Sequence, residues 1–239
     1  SSNLVGGGDA SEVTFTADLG ELGTRTATVG DGSHVNRVYL GIYENNQPLN
    51  YLDNLTEDDG YPVTGGKATF SVVLLKDKVY DLVFWAQKNN EELTCYNMDW
   101  AKRELTVDYT GVLSQAEERD AFYLVQNGFK AGHDETVFKL YRPFAQLNAG
   151  LSKVEVENIT NNGVEVTSLK SKAVVRKVAN KLFLDQDNHG KIDKDNLVEV
   201  EFGSAAKPAE ELKVSSAVTG GPFEYVSLNY LLVNEEELV

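Results

Sequence analysis

Lys67-Ala68-Thr69-Phe70-Ser71-Val72-Val73-Leu74-Leu75-Lys76-Asp77-Lys78-Val79-Tyr80-Asp81-Leu82-Val83-Phe84-Trp85-Ala86-Gln87 reads as two strands joined by the turn Lys76-Asp77-Lys78. In the second strand Leu82, Phe84 and Ala86 share one face, and Val83 and Trp85 share the other. A strand that is apolar on both faces needs cover on both sides, so it belongs at the centre of a sandwich. Trp85 reads as a core anchor for the same reason.

Upstream, Glu12 to Leu19 alternates polar and apolar, which places Val13, Phe15, Ala17 and Leu19 on one buried face. Gly20 and Gly23 bound this strand. Val29-Gly30-Asp31-Gly32-Ser33 is a strong turn signal, Asn36 to Tyr43 is a further strand, and Asn50 to Gly60 is an acidic, irregular loop. Downstream, Leu105 to Tyr109 is a short strand. Ser114 with Glu117 three residues on forms a capping pattern for one or two helical turns. Ala121 to Val125 packs inward. Phe138, Leu140 and the run from Phe144 to Leu147 follow, with Pro143 interrupting the ladder because it has no N–H to donate.

Gly150 marks the expected boundary between two domains. A flexible polar leader occupies 1–10, an N-terminal β-sandwich 11–150 and a C-terminal β-sandwich 151–239. Beyond Gly150, Lys153 to Ile159 alternates, Asn161-Asn162-Gly163 is a tight-turn sequence, and Val164 to Leu169 alternates again. The spacing predicts a β-hairpin. Ala173 to Val178, Leu182 to Leu184, Leu197 to Phe202, Lys213-Val214 and Tyr225 to Val233 complete the strands. Many short strands with little helical period predict an all-β protein of two sandwich domains.

With 239 residues, 41% of them hydrophobic, the chain can bury a sizeable core. Lys+Arg of 22 against Asp+Glu of 37 gives a formal charge of −15, a surface that repels phosphate backbones and argues against nucleic-acid binding. Cys95 is the single cysteine. It rules out an intrachain disulfide and a thiolate metal cluster, and its apolar neighbours mark it as inert. No run approaches the ~18 apolar residues a membrane helix needs. His34, His133 and His189 fall in turns without metal-ligand spacing. Gly-x-Ser-x-Gly, His-Glu-x-x-His and a phosphate-binding glycine loop are missing from the sequence, and the reading is a non-enzyme.

One local pattern invites a metal. Asp185-Gln186-Asp187-Asn188-His189-Gly190-Lys191-Ile192-Asp193-Lys194-Asp195-Asn196 resembles a calcium loop, with Asp185, Asp187 and Asp193 at the first, third and ninth positions and Gly190 at the sixth. His189 at the fifth position and Asn196 at the twelfth are wrong for a hard cation, and flanking helices are not expected. A hairpin loop of good turn residues is the preferred reading, with Ca2+ as its alternative and no other cofactor.

Arg142-Pro143-Phe144-Ala145-Gln146-Leu147-Asn148 resembles the segment that closes the N-terminal domain in Bacteroidetes fimbrillin-like (Mfa-like, FimA-type) surface proteins. Gly23-Thr24-Arg25-Thr26, Val83-Phe84-Trp85-Ala86 and Arg119-Asp120-Ala121-Phe122-Tyr123 stand in the order that family shows, and the resemblance spans about Val13 to Val233. It implies transthyretin-like sandwich domains and a fimbrial subunit exported to the cell surface and outer membrane as a lipoprotein. A host-secreted protease would cut between Arg25 and Thr26. That cut would free the first strand with Val13, Phe15, Ala17 and Leu19, and a strand of the next subunit would take its place. The implied partners are other subunits, the processing protease and a host or bacterial surface ligand, with the membrane reached only through a lipid anchor. The family continues through at least one more strand, so the C-terminal domain reads as short at its end. The rival reading is a surface adhesin or glycan-binding sandwich, with Trp100 or Tyr61 as stacking platforms and the Asp185 loop as an ion site. A carbohydrate hydrolase would need two facing carboxylates at a set spacing, for which the sequence offers nothing.

Overall fold

The computed structural model describes residues 9–20, 30–45, 47–48, 60–110, 117–203, 207–208, 213–215 and 223–233. In chain order the strands are β1 (Ala10–Asp18), β2 (Arg37–Glu44), β3 (Gln47–Pro48), β4 (Tyr61–Pro62), β5 (Lys67–Leu75), β6 (Val79–Gln87), β7 (Tyr96–Asp99), β8 (Glu104–Val107), β9 (Phe122–Lys130), β10 (Val137–Lys139) and β11 (Phe144–Ser152). Helix α1 (Lys153–Asn161) comes next. It is followed by β12 (Ser168–Leu169), β13 (Lys172–Ala179), β14 (Lys181–Phe183), β15 (Lys191–Ile192), β16 (Leu197–Gly203), β17 (Lys207–Pro208), β18 (Lys213–Ser215) and β19 (Phe223–Leu232). A single 3-10 turn covers Glu117–Arg119.

The architecture is an all-β sandwich whose middle layer is the sheet β3-β2-β6-β9, with β4 also on β2. On one side lies the sheet β10-β1-β5. On the other lie β15-β14-β8-β7 and β11-β19-β13-β16. The period of two in the middle strands sends alternate side chains into two separate cores. Val38, Leu40, Ile42, Leu82, Phe84, Ala86 and Phe122 join Phe15, Phe70 and Phe138 in the first. Tyr39, Tyr43, Val83, Trp85 and Tyr123 join Leu105, Tyr109, Leu182, Phe202 and Tyr230 in the second. Every residue of β6 after Val79 is buried, as its two apolar faces predicted. β5 shows the other regime, with Ala68, Phe70, Val72 and Leu74 buried and the residues between them exposed from Lys67 to Val73.

Pro143 falls in the gap between β10 and β11, where its missing N–H costs no ladder bond. Gly150 lies within β11, beside a register shift at Ala149/Gly150, and β11 pairs with β19 on both sides of it. The second core combines residues from before and after Gly150.

The expected hairpin over Lys153–Leu169 does not form. Lys153–Asn161 is an α-helix with no buried residue, and only Ser168–Leu169 of the second half is a strand, paired with Lys207–Pro208. Asn162-Gly163, read as a hairpin turn, instead closes the helix. Gly163 has φ 87°, its N–H donates to the Thr160 carbonyl at 3.1 Å, and the Val164 N–H donates to the Ile159 carbonyl at 3.3 Å. Those two bonds are a Schellman closure, which uses the same Asn-Gly chemistry as a tight turn. Thr160 Oγ1 donating to the Val156 carbonyl and Asn162 Nδ2 donating to the Asn158 carbonyl add local support. Alternation of Val and Glu specifies a strand only when a partner covers the apolar face, and among the described residues no strand pairs with Lys153–Asn161.

Candidate functional site

β1 lies between β5 and β10 in its sheet. It pairs antiparallel with β5 over nine residues, Ala10↔Leu75 to Asp18↔Lys67, and parallel with β10 over Thr16↔Val137 to Asp18↔Lys139. Val13, Phe15, Ala17 and Leu19 all point into the first core, and Phe15 and Ala17 have no exposed surface. Phe15 meets Phe70, Phe84, Phe129 and Phe138 edge-on, with centroids 6.2, 6.4, 5.2 and 5.4 Å away. Edge-to-face pairs add attraction beyond the area they bury. On the outer face Thr14 Oγ1 lies 3.0 Å from Ser71 Oγ. With β1 withdrawn, β5 and β10 would each keep a row of unpaired N–H and C=O groups above a groove floored by these phenylalanines. Such a slot accepts a strand whose alternate residues are apolar.

Gly30 follows Gly20, the last described residue of the β1 segment, by ten positions. Arg142 Nε donates to Asp120 Oδ1 at 2.8 Å, and its Nη2 donates to Asp120 Oδ2 at 2.8 Å and to the Gly30 carbonyl at 3.1 Å. The guanidinium also sits 4.7 Å from the Phe122 ring centroid. The fork geometry of arginine matches both carboxylate oxygens, and the Asp120 side chain is 1% exposed. Gly30 has φ 73°, a left-handed backbone conformation that favours glycine. Tyr123 and Tyr141 exchange both backbone bonds at 2.8 and 2.9 Å. The segment Arg119–Tyr123 and the segment Tyr141–Phe144 are thereby locked together, and the Gly30 carbonyl is tied to them through Arg142. Sequence reading singled out both segments but not their pairing, since residues 22 apart carry no local sign of contact.

Arg25 and Thr26 lie outside the described residues. Two of the calcium-loop carboxylates, Asp185 and Asp193, accept hydrogen bonds within turns. Asp185 Oδ1 accepts from the Asp187 and Asn188 N–H groups at 3.0 and 2.9 Å. Asp193 accepts from the Asp195 N–H at 3.1 Å and from Asn196 Nδ2 at 2.9 Å, bonds that hold its carboxyl below the usual range. β14 and β15 pair directly across the loop, Leu182↔Ile192. Among the described residues no three His, Cys, Asp or Glu side chains gather as a metal group, so Asp185, Asp187 and Asp193 are not brought together. His133 pairs with Asp77 at 3.0 Å on the surface. Tyr61 stacks at 3.8 Å on Phe70 and is half-buried, while Trp100 is half-buried on the opposite side of the middle sheet.

Cys95 is buried, and desolvation pushes its thiol up to about 11. At pH 8 the thiolate fraction is then about one in a thousand. Folded protein is expected to resist iodoacetamide at pH 8 while urea-unfolded protein labels fully. Rapid labelling without urea would contradict the burial.

The family described as a family of unknown function, DUF6562, matches residues 5–239. The chain belongs to DUF6562. No curated protein matches it. Two solved structures show a distant similarity to this DUF6562 chain. One is a candidate polysaccharide-binding protein (DUF1812) from Bacteroides thetaiotaomicron, at 10% identity and TM-score 0.41, with 84% of this chain covered. The DUF6562 chain spans 65% of that protein's length. The other is a fimbrial assembly protein from Parabacteroides distasonis, at 12% identity and TM-score 0.37, covering 96% of this chain and 98% of that one. No helix among the described residues of the DUF6562 chain is long and apolar enough to cross a membrane.

Proposed function

We propose that the chain is a structural or adhesive subunit of a cell-surface fimbria, carried to the outer membrane and assembled by protease-triggered strand exchange. The observation that carries this reading is the position of β1. It is the first described strand, it sits between two others in its sheet, and its four inward residues fill one groove. The 21–29 connection after it contains Arg25 and leads to Gly30, which Arg142 holds to the body of the fold. A cut between Arg25 and Thr26 would separate β1 from the remainder without touching the Arg142–Asp120 anchor. The freed groove would take a strand from a neighbouring subunit, exchanging one set of backbone bonds for an equivalent set. On this reading the protein is not an enzyme. Its partners are neighbouring subunits, a processing protease and a surface ligand, and a lipid anchor accounts for any membrane contact.

Limited trypsin digestion, N-terminal sequencing and electrophoresis without boiling test the reading together. The expected product begins at Thr26 and grows into detergent-resistant ladders. A product cut elsewhere, or one that starts at Thr26 and stays monomeric, would remove strand exchange and leave a standalone adhesin. That second reading, a glycan-binding sandwich, is favoured by one feature, a hollow of about 210 Å³ among Tyr39, Trp85, Tyr96 and Trp100.

A further inference from the structure

A groove of about 480 Å³ runs between β16 and the stretch Val107–Thr110 at the end of β8. Four consecutive residues of β16, Val198 to Glu201, line it. Neighbouring residues of a strand point to opposite faces, so a groove lined by four in a row lies along the edge of the strand. Among the described residues β13 is the one strand that pairs with β16. The other edge of β16 therefore presents N–H and C=O groups that no described strand takes up, with open space beside them.

One face of this groove is apolar and rigid. Val107, Tyr109 and Val200 are buried, and Val198 is half-buried. The Tyr109 hydroxyl donates to the Ala179 carbonyl at 2.6 Å and accepts from the Leu232 N–H at 3.2 Å, and the Val107 N–H donates to the Asn180 carbonyl at 2.7 Å. The alternate residues of β16, Glu199 and Glu201, are exposed, as is Asp108 across the groove. Lys172 of β13 pairs with Glu201 at 3.1 Å, and Arg119 donates to the Asp108 and Thr110 carbonyls at 3.1 and 3.4 Å, but neither cation lines the groove. Its described lining thus carries three carboxylates and no cation. Outside the described residues the sequence holds a single cation, Arg25, so those stretches can add little positive charge here.

We propose that the free edge of β16 takes up an extended segment of a partner protein in which Lys or Arg alternates with apolar residues, added as a further strand of the sheet. Its apolar residues would lie beside Val198 and Val200, and its cations opposite Glu199 and Glu201, where cross-strand pairs of opposite charge are favourable. The inner edge of β16 already carries such a neighbour, since β13 begins Lys172-Ala173-Val174-Val175-Arg176-Lys177. A second copy of the same edge fits poorly. With Val200 antiparallel to Val200, Glu199 of each strand would face Glu201 of the other, and like charges directly opposite destabilise a pair. The inference does not rest on strand exchange at β1, which belongs to a different sheet.

The probe is the hexapeptide fluorescein-Lys-Val-Lys-Val-Lys-Val-amide, titrated with the intact chain and followed by fluorescence anisotropy. Saturable binding is expected, and none for the Glu-Val counterpart. A chain of formal charge −15 attracts any cationic peptide, so two N-methylated versions separate strand addition from charge alone. One carries N-methyl groups on its Lys amides and the other on its Val amides. An added strand bonds through alternate N–H groups, so one version should lose affinity roughly tenfold and the other keep it. Glu199→Lys, at an exposed position, is expected to weaken binding roughly tenfold with an unchanged melting temperature, whereas Glu157→Lys on α1 should leave it intact. Absence of saturable binding overturns the proposal, as does equal affinity of the two N-methylated versions or full affinity in folded Glu199→Lys protein. Self-association of the chain that the peptide reverses would place a second copy at this edge, and would overturn it too.

Discussion

Phe15→Ala is expected to cost about 3–5 kcal/mol of unfolding free energy, the range for truncating a buried phenylalanine. Phe15 has no exposed surface, and four phenylalanine rings surround it, so little can move in to fill the space. For a chain of this size the loss should lower the melting temperature by roughly 10 °C. Thr14→Ala is the matched control, because Thr14 is exposed and loses one surface contact with Ser71. It should stay within about 0.5 kcal/mol of the parent. Urea denaturation of the three proteins measures both. A Phe15→Ala cost near that of Thr14→Ala would mean that β1 is not part of the core. The same substitution bears on assembly. Under the proposed strand exchange, a donor strand that replaces β1 must fill the pocket of Phe70, Phe129 and Phe138, so an added peptide of residues 10–19 should compete with ladder growth. The same peptide carrying Phe15→Ala should compete far less.

Arg142→Ala is expected to cost about 3–5 kcal/mol, because it removes the guanidinium that bonds both oxygens of a buried carboxylate. That carboxylate belongs to Asp120, which is 1% exposed and bonded to Arg142 through both oxygens. Replacing both residues with apolar ones of similar volume, Arg142→Met with Asp120→Leu, should cost less than either single change, since no charge is then left buried. A double-mutant cycle read by urea midpoint separates these outcomes. If each single change costs under about 1 kcal/mol, the pair is in effect a surface salt bridge. Arg142 also holds the Gly30 carbonyl, so Arg142→Ala should speed proteolysis around Gly30 in the folded state.

Strands with a full alternating or two-faced pattern were legible from the residues. β1, β2, β5 and β6 lie where the period of two placed them, because each carries enough apolar side chains to demand burial whatever it packs against. The inward set Val13, Phe15, Ala17 and Leu19 was legible for the same reason. The hairpin between β14 and β15 followed from turn chemistry, since Asp, Asn and Gly bond their own backbone in that loop.

The helix at Lys153–Asn161 was not legible. Val154 and Val156 share one face of a strand, yet the segment is an exposed helix with no buried residue. Nor did the sequence indicate that Asp120 meets Arg142, that Gly41 lies beneath Trp100, or that the Asn90 carbonyl is shielded without a donor. Those facts depend on which strands become neighbours. Periodicity along a chain determines which side of a strand is apolar. Which residues from distant strands share a core, an ion pair or a hollow is decided only when the sheets close on one another, because that is when charges lose water and side chains compete for the same space.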